Sequence, residues 1–327
     1  MAIDITRSLE KSFLQETDCF SDIMGQDSVK KQVKSALLMG RHILIVGPPG
    51  IGKTTLAKNV AKLLPEIDIK SEQDGKTKKI KGSDRFVRIQ GSPDLTVEDL
   101  LGDIDPVKAL EFGPMSLKAF TPGKIFKADQ GVLFFDEVNR CPEKLQNSLL
   151  QVLSEKTATI GSYDVDFPTN FIFIGTMNPE DSSTERLSEV FVDRFDIIYM
   201  SYPETPQIEK TIVLSNGKKM AVKFPESLLD FSVTFVRSLR DHKDLEEKPS
   251  VRASIGLFER AQANAFLAKR KIVELSDVQE AIISVVSHRI TLKPSVKYLK
   301  SPADFIAEEF KKFTDHFDFN AEKGDGL

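Results

Sequence analysis

The 327-residue sequence has no tryptophan, only two cysteines and only four histidines. Cys19 and Cys141 lack metal-ligand spacing, and the histidines form no metal-spaced cluster, so no soft-metal site is indicated. Two cysteines in a chain of this length are typical of a reducing compartment rather than of a disulfide framework. No apolar run approaches the roughly 18 residues of a membrane span, and the first residues lack the apolar core of a secretory signal. We therefore expect a cytoplasmic protein without a membrane span.

Charge of one sign is not in excess either. The 45 basic side chains are balanced by 49 acidic ones, which gives a formal net charge of -4. Without a general positive field, wholesale nucleic-acid binding is not expected, although a local basic patch stays open. At roughly 150 residues per domain, the length corresponds to about two domains.

Short continuous apolar segments, typical of strands buried on both faces of a sheet, recur through the N-terminal part of the sequence. They occupy residues 42–46, 85–90, 131–137, 170–176 and 195–200. Helical segments separate several of them. Residues 143–155 place one apolar set on one face, namely Leu145, Leu149, Val152 and Leu153. Strands that alternate with helices predict an α/β fold with a mostly parallel sheet covered on both faces.

The pattern changes near residues 203–206, after which the sequence reads as helices. We therefore expect an α/β domain at 1–205, a smaller helical domain at 206–300 and a tail at 301–327 that begins with an amphipathic helix. Residues 66–84 are polar and rich in lysine, which favours a solvated surface loop and leaves a binding patch as the alternative. Residues 102–128 carry two Gly-Pro-type turns and predict an inserted hairpin or short helix.

Residues 47–54, GPPGIGKT, match the phosphate-loop pattern G-x-x-x-x-G-K-[ST] at every position. The loop lies between an apolar strand segment and an amphipathic helix, which is the context that the pattern requires. Its glycines allow the backbone to curl with the N–H groups turned toward a β-phosphate. The helix that begins near Lys53 adds the positive end of its dipole.

Lys53 is expected to bridge the β- and γ-phosphates, and the Thr54 hydroxyl is expected to bind Mg²⁺. The loop and its flanks form the predicted nucleotide-binding set. The members of this set are Gly47, Pro48, Pro49, Gly50, Ile51, Gly52, Lys53, Thr54 and Thr55.

Two further apolar strands end in polar side chains, at the sheet edge where open α/β sheets bind ligands. Asp136 is expected to hold Mg²⁺ through water, and Glu137 to polarise the attacking water, which favours hydrolysis over transfer to a second substrate. Asn178 follows the next strand, and its amide is expected to orient the water or contact the γ-phosphate. The alternatives are a solvated acidic pair and an Asn-Pro turn.

These three strand ends, in this order, resemble those of AAA+ ATPases, over about residues 20–295. Within that family, residues 92–139 (SPDLTVEDLLGDIDPVKALEFGPMSLKAFTPGKIFKADQGVLFFDEVN) resemble the branch of MoxR and the magnesium-chelatase I subunit. The resemblance implies a P-loop αβα sandwich with a parallel five-stranded sheet, followed by an all-α lid domain. It also implies an insert in the second helix at about 103–125 and a hairpin at 157–170. Because FSDIMGQD (20–27) resembles the segment beside the adenine, Gln26 joins the expected nucleotide-binding residues.

Two arginines gain roles from the resemblance. VFVDRFD (190–196) resembles the branch's L-D-R-F segment, so Arg194 is expected to be an arginine finger that reaches a neighbouring subunit's site. The alternatives are a local salt bridge with a neighbouring aspartate, or Arg186 as the finger. PSVRASIGL (249–257) resembles the sensor-2 segment, so Arg252 is expected to contact the γ-phosphate; a surface arginine in a first helical turn is the alternative.

The resemblance implies a function as well. A finger supplied in trans implies a ring, which we expect to be a homo-hexamer that hydrolyses ATP with Mg²⁺ and remodels or activates a partner protein. Members of this branch often act with a protein bearing a von Willebrand A domain, which this chain lacks, so such a partner would be a separate chain. A second interpretation is the motor subunit of a magnesium chelatase. A third is a DNA-dependent motor or nucleotide-switched DNA-binding module, which the lysines of 70–81 would favour and the pI of about 5.8 disfavours.

Overall fold

The computed structural model describes residues 5–15, 17–70, 77–113, 116–159, 166–179 and 187–317. Arg186 lies outside these residues, and so do parts of the predicted lysine-rich segment, insert, hairpin and tail. The chain divides into two compact units. The first is Met1–Gly47 with Gly52–Met200, and the second is Pro48–Ile51 with Ser201–Leu327.

The first unit alternates strands and helices. Its strands are β1 (His42–Val46), β2 (Ile67–Lys70), β3 (Thr77–Ile80), β4 (Phe86–Gln90), β5 (Gly102–Ile104), β6 (Phe120–Pro122), β7 (Val132–Asp136), β8 (Thr157–Thr159), β9 (Asp166–Pro168), β10 (Ile172–Met177) and β11 (Phe195–Tyr199). Its α-helices are α1 (Ile5–Phe13), α2 (Asp27–Leu38), α3 (Lys53–Leu63), α4 (Val97–Leu101), α5 (Pro106–Phe112), α6 (Lys124–Lys127), α7 (Glu143–Glu155) and α8 (Glu189–Val192).

Five of the strands form the central sheet, in the order β11-β1-β10-β7-β4, with every neighbouring pair parallel. The prediction of an α/β fold with a parallel five-stranded sheet is therefore confirmed. The predicted segments 42–46 and 143–155 coincide with β1 and α7. The pairing brings Val46 at the end of β1 beside Met177 at the end of β10, which aligns the carboxyl ends of the two strands.

The core of this unit forms because alternate residues of each strand face one side of the sheet. On one side, Leu44, Leu133 and Phe135 are fully buried against Leu145 and Leu149 of α7. Helices α2 and α3 also contact the sheet, at β1 and β11 and at β7, respectively. The sheet thus holds the strand ends rigidly between helical layers, and this is what positions the loops that follow them.

Short antiparallel pairs flank the central sheet: β2 with β3, β5 with β6, and β8 with β9. The prediction of a plain surface loop at 66–84 is wrong at its flanks, because Ile67–Lys70 pairs with Thr77–Ile80. Ile67 and Ile69 alternate with polar residues, which is a strand pattern that the lysine content obscured. In the predicted insert, β5 and β6 pair on either side of α5.

The second unit is helical, as predicted. Its helices are α9 (Pro206–Asn216), α10 (Glu226–Arg240), α11 (Val251–Leu267), α12 (Leu275–Val286), α13 (Pro294–Lys297) and α14 (Pro302–His316). A short antiparallel pair, β12 (Leu245–Glu247) with β13 (Thr291–Leu292), was not predicted. These strands are too short to show a period-2 pattern in the sequence.

Apolar faces of α10, α11, α12 and α14 meet in the core of this unit. Gly256 allows α11 and α12 to approach closely, since a Cβ built at this position would lie 2.9 Å from Val285 Cγ1. From α14, Phe310 packs edge-on against Phe231 and Phe235 at ring-centroid distances of 5.5 and 5.3 Å. The helical part of the predicted tail is therefore part of the same core.

One half-buried titratable group makes the stability of the first unit depend on pH. His42 begins β1, and its Nδ1 accepts a hydrogen bond of 3.1 Å from the Phe173 N–H. Burial, together with the positive charges of Lys156 and Arg41, lowers the pKa of His42 from 6.5 to about 4. Between these two values the unfolded chain binds a proton at this position that the folded chain does not bind, so stability falls as the pH decreases below 6.5.

We expect the wild type to lose about 2 kcal/mol of unfolding free energy between pH 7 and pH 5 through His42. His42→Asn keeps an acceptor for the Phe173 N–H and removes the titration, so its loss over this range should be smaller by about that amount. Urea unfolding of both proteins at the two pH values measures the difference. Equal pH dependence in the two proteins would contradict the assignment.

Candidate functional site

The phosphate loop begins at the carboxyl end of β1. The Gly47 N–H donates to the Met177 carbonyl oxygen at 3.1 Å, and Lys53 Nζ donates to the Gly47 carbonyl oxygen. Gly52, with φ +102°, forms the N-cap of α3, and Lys53 is the first residue of that helix. No side chain caps this helix end within the described residues. The first turn of a helix has N–H groups without intrahelical partners, and this is the geometry that anion sites use.

The tip of the loop, Pro48–Ile51, belongs to the second unit. Gly50 has a φ of +73°, and a Cβ built on it would lie 2.8 Å from Ser250 Oγ and 3.2 Å from Arg252 Cγ. Glycine is thus required twice, by the backbone conformation and by the space. The structure thereby places Arg252, which is exposed, beside a residue of the phosphate loop.

Within the first unit, the segment before α2 lies near Gly52 of the loop. A Cβ built at Gly52 would lie 3.4 Å from Ile23 Cδ1 and 3.7 Å from Met200 Cε. Gln26 is buried and is the N-cap of α2 in the left-handed conformation, with φ 59°. The apolar side chains of Ile23 and Met200 therefore pack, buried, next to Gly52, and Ile23 belongs to the segment that the resemblance places beside the adenine.

Asp136 is the last residue of β7, and both of its carboxylate oxygens are engaged. Oδ1 accepts from Thr176 Oγ1 at 2.7 Å, and Oδ2 accepts from Arg88 Nη2 at 2.6 Å. The Asp136 side chain is only 16% exposed, whereas that of Arg88 is 52% exposed. The carboxylate is therefore fixed in direction by a buried hydroxyl and partly neutralised by a guanidinium at the rim.

Glu137 follows in the left-handed conformation, with φ 56° and ψ 52°, which is uncommon for a residue with a Cβ. Its backbone N–H donates to Thr176 Oγ1 at 3.0 Å. Its Oε2 accepts from Gln90 Nε2 and from Arg140 Nη1, both at 2.8 Å. Backbone strain of this kind concentrates at functional positions, and here it turns the Glu137 side chain toward Gln90 at the carboxyl end of β4.

Gly91, directly after β4, supports this turn. Its N–H donates to the Asp136 carbonyl oxygen at 2.7 Å. A Cβ built at Gly91 would lie 2.0 Å from the Glu137 carbonyl oxygen, far inside van der Waals contact. The backbone at Gly91 can approach the backbone of Asp136 and Glu137 this closely only because this position has no side chain.

Asn178 directly follows β10 and is half-buried. The residue before it, Met177, accepts the hydrogen bond from Gly47, so Asn178 lies next to the start of the phosphate loop. Thr54 and Thr55 are half-buried in the first turn of α3. Apart from the loop tip, the predicted binding residues of the first unit thus gather at one edge of the sheet.

Arg194 lies elsewhere. It is exposed and directly precedes β11, whose first residue pairs with His42 at the start of β1. It therefore stands at the amino edge of the sheet, about 17 Å from the carboxyl edge for a five-residue strand. The alternative of a local salt bridge finds no support within the described residues, because Asp196 pairs with Arg41 at 3.1 Å and Arg194 forms no ion pair there.

The donor set suits a hard cation. Thr54 supplies a hydroxyl and Asp136 a carboxylate, the oxygen ligands that Mg²⁺ takes together with water and phosphate oxygens. Among the described residues, no group of three or more His, Cys, Asp or Glu side chains could form an all-protein metal cage. The residues therefore fit a Mg²⁺ that is held jointly with a nucleotide.

Comparison with known families agrees with this geometry. Residues 42–195 match the AAA domain of the dynein-related subfamily, and residues 237–309 match the AAA lid domain. The chain is an AAA+ protein. The match spans β1, the phosphate loop, both acidic residues and the start of β11, and the lid match covers most of the second unit.

Its relatives include proteins of the predicted branch. The chain is 29% identical over 311 residues to the uncharacterized protein YeaC of Bacillus subtilis, covering 88% of this chain and 89% of that protein. It is 28% identical to the chaperone MoxR1 of Mycobacterium tuberculosis (83% and 73% covered). It is 26% identical to the magnesium-chelatase subunit ChlI of Olisthodiscus luteus (84% and 90% covered).

A solved structure shares the fold. A point mutant of RuvB from Thermotoga maritima is 19% identical, covers 80% of this chain and 71% of its own, and superimposes with a TM-score of 0.52. This likeness concerns the fold alone. In the described part of the chain, no helix has the length and apolar character needed to cross a bilayer.

Sequence reasoning missed several residues of this AAA+ site: Arg88, Gln90, Gly91, Arg140 and Thr176. Each contacts Asp136 or Glu137 from another strand or turn, so its role depends on a partner that is distant or out of pattern in the sequence. A signal was present in the strand segment RFVRIQ, where polar Arg88 and Gln90 alternate with apolar residues beside the acidic strand. Their partners became visible only through the register of β4 with β7.

We expect Gly91→Ala to lower the unfolding free energy by about 1 to 3 kcal/mol, because the added methyl group must displace the Glu137 carbonyl. Ser92→Ala, one position along, is the matched control and should stay within about 0.5 kcal/mol of the wild type. Urea unfolding of the three proteins measures both values. A Gly91→Ala protein as stable as the control would show that the backbone at Glu137 is free to shift.

Proposed function

We propose that this AAA+ protein hydrolyses ATP with Mg²⁺ as a homo-hexameric ring and uses the cycle to remodel or activate a partner protein. The observation that carries the proposal is the gathering of Lys53, Asp136, Glu137 and Asn178 at the carboxyl ends of three adjacent strands. These four groups supply a phosphate ligand, a metal ligand, a base and a water-orienting amide.

In this mechanism the loop N–H groups and Lys53 bind the β- and γ-phosphates. Thr54 and Asp136 would hold Mg²⁺, which would supply positive charge to offset the charge that develops on the phosphate. Thr176 holds Asp136 in direction through its 2.7 Å hydrogen bond. Ile23 and Met200 are the apolar side chains that we propose to contact the adenine, and Gln26 lies three residues after Ile23 in the sequence.

Glu137 is proposed to accept the proton of the attacking water, with the Asn178 amide orienting that water. A base must stand within hydrogen-bond reach of the proton that it takes, directly or through one water. The strained backbone at Glu137 and its hydrogen bonds to Gln90 and Arg140 limit where the carboxylate can go. The water would stand between the ends of β7 and β10, where Asn178 can reach it.

Arg194 is proposed to complete the site of a neighbouring subunit. Its position at the amino edge, about 17 Å from the phosphate loop of its own unit, argues against an action on its own nucleotide. An exposed guanidinium without an ion pair among the described residues is available to a second copy. A planar guanidinium suits the charge that develops on the transferred phosphoryl oxygens.

Arg252 is proposed to contact the γ-phosphate. Its support is the close approach of its side chain to Gly50 of the phosphate loop within the second unit. An arginine on a helix of the lid that touches the loop can respond to the presence of the γ-phosphate.

We expect Glu137→Gln to lower ATP turnover by at least about a hundredfold while nucleotide affinity stays near that of the wild type, since only the base is removed. Lys53→Ala should instead weaken ATP binding by about tenfold to a hundredfold. Steady-state ATPase rates and ATP titrations measure the two effects. Glu155→Gln, an exposed acid at the far end of α7, is the control and should behave as the wild type. Normal turnover by Glu137→Gln would refute the assigned base.

We expect Arg194→Ala to lose about a thousandfold in turnover with unchanged ATP affinity, since the finger acts on the transition state. Mixing Arg194→Ala with Lys53→Ala subunits should restore about one quarter of the wild-type rate on random assembly, because half the sites keep Lys53 and half of those receive a finger. ATPase rates of the mixture and of each variant alone measure this. Arg41→Ala, at the same sheet edge, is the control. A mixture as inactive as its components would exclude action in trans.

The partner is the least defined part of the proposal. Similarity to the chaperone MoxR1 favours a remodelling role, and we propose a separate protein with a von Willebrand A domain as the partner, in the cytoplasm. Similarity to the magnesium-chelatase subunit ChlI favours a chelatase motor as the second candidate. Capture by the Glu137→Gln protein in ATP separates these: chelatase subunits among the bound proteins would support the second role, and DNA-stimulated ATPase activity would support neither.

A further inference from the structure

A buried ionic cluster lies in the second unit, outside the residues that the mechanism uses. At its centre Glu209 of α9 has no exposed surface. It accepts two hydrogen bonds of 2.7 Å from Arg240 of α10 and one of 2.6 Å from the Ser254 hydroxyl of α11. Arg237 adds a fourth, at 3.3 Å. We call Glu209, Arg237, Arg240 and Ser254 the Glu209 cluster.

The hydrogen bonds of the cluster fix the orientation of the Glu209 carboxylate. Burial by itself would raise the pKa of Glu209, but the hydrogen bonds and positive charge of Arg240, with Ser254 and Arg237, lower it overall. The carboxylate is thus ionised and bound by both fork nitrogens of one guanidinium, a geometry that fixes orientation as well as distance. Helices α9, α10 and α11 are thereby locked to one another at a single point.

The cluster also forms hydrogen bonds to the segment that carries Arg252, on both sides of that residue in the sequence. On the N-terminal side, Arg240 Nε donates to the Pro249 carbonyl oxygen at 2.9 Å. On the C-terminal side, Glu209 accepts from Ser254, which is in the same first turns of α11. Between these two anchors lie Ser250 and Arg252, the two side chains that approach Gly50.

A second set of contacts joins the cluster to the chain that enters the unit. Arg237 donates to the carbonyl oxygens of Pro203 at 2.8 Å and Glu204 at 3.1 Å. The Arg240 guanidinium lies over the Tyr202 ring, 4.5 Å from its centroid. The same two arginines therefore bind residues 202–204 and the start of α11.

We propose that Glu209, Arg240 and Ser254 are positioning residues that hold Arg252 against the phosphate-loop residue Gly50 and tie this contact to residues 202–204. The part of the proposal that concerns nucleotide rests on the function proposed for Arg252. A change at the loop that moves Arg252 would pull on Pro249 and Ser254, and through Arg240 and Arg237 on residues 202–204.

A double-mutant cycle tests the proposal. Glu209→Gln removes the charge at nearly constant volume and should lower ATP turnover by about tenfold or more, since small misplacements of a reacting group have large effects. In an Arg252→Ala background the same change should lower it by less than about twofold, because the residue through which it acts is gone. If Glu209→Gln lowers ATP turnover by the same factor in the wild type and in the Arg252→Ala variant, the two residues act independently and the proposal is overturned.

Asp277→Asn is the matched control. Asp277 is a buried carboxylate of the same unit that accepts from Arg270 Nη1 at 2.7 Å, and its hydrogen bonds among the described residues go to Arg270, Glu274 and Asn264 rather than to residues 249–254 or 202–204. Its loss should lower thermal stability as Glu209→Gln does, and leave turnover within about twofold of the wild type. Equal losses of turnover in the two variants would reduce the cluster to a stability element.

Two further measurements keep the outcome clear. If Glu209→Gln fails to fold, the double-mutant cycle is repeated with Ser254→Ala, which removes a single hydrogen bond. We expect this variant to lower ATP turnover by about threefold. Hydrogen exchange without nucleotide should show faster exchange at the amides of Gly50, Ile51 and residues 250–254 in Ser254→Ala and not in Asp277→Asn. Unchanged exchange at these residues refutes the positioning role, whereas a wild type that does not hydrolyse ATP refutes only the proposed function.

Discussion

Parallel hydrogen bonding between β1, β10 and β7 is the constraint on which the candidate site depends. In a parallel sheet every strand delivers its following loop to the same edge, so the phosphate loop, Asn178 and the acidic pair meet although they are far apart in sequence. The same constraint sends the residues that precede the strands to the other edge. Arg194 is there for this reason, which separates the groups that we propose to bind a subunit's own nucleotide from the arginine that we propose to act on a neighbour's.

Within that edge, one buried hydroxyl organises two acidic residues. Thr176 Oγ1 donates to Asp136 Oδ1 and accepts from the Glu137 N–H, so the middle strand fixes a side chain and a backbone turn at once. Gly91 of the neighbouring strand leaves room for the turn. The Glu209 cluster repeats the principle in the second unit, where a buried carboxylate fixes three helices. In both places hydrogen bonds to a buried polar group fix the orientation of a carboxylate, which apolar packing alone does not do.

The sequence was sufficient for features that depend on local pattern. The apolar segments at 42–46 and 195–200, the periodic helix at 143–155 and the phosphate-loop spacing all predicted what the structure contains. Features that depend on register or on distant pairing were not predictable. Arg88 reaches Asp136 across 48 positions and Ser254 reaches Glu209 across 45, and no spacing rule relates such residues. The β2–β3 pair was missed because lysine content outweighed a weak alternation.

The ion pair between Arg88 and Asp136 has a consequence for the order in which ligands arrive. A lone divalent cation approaching Asp136 meets a carboxylate whose negative charge is already matched by a guanidinium 2.6 Å away, and it would be repelled by that guanidinium. A cation that arrives already bound to the phosphates carries its own counter-charge and is attracted by the loop amides and Lys53. If Asp136 holds Mg²⁺ as proposed, its ion pair with Arg88 would favour the metal–nucleotide complex over the free metal at this strand end.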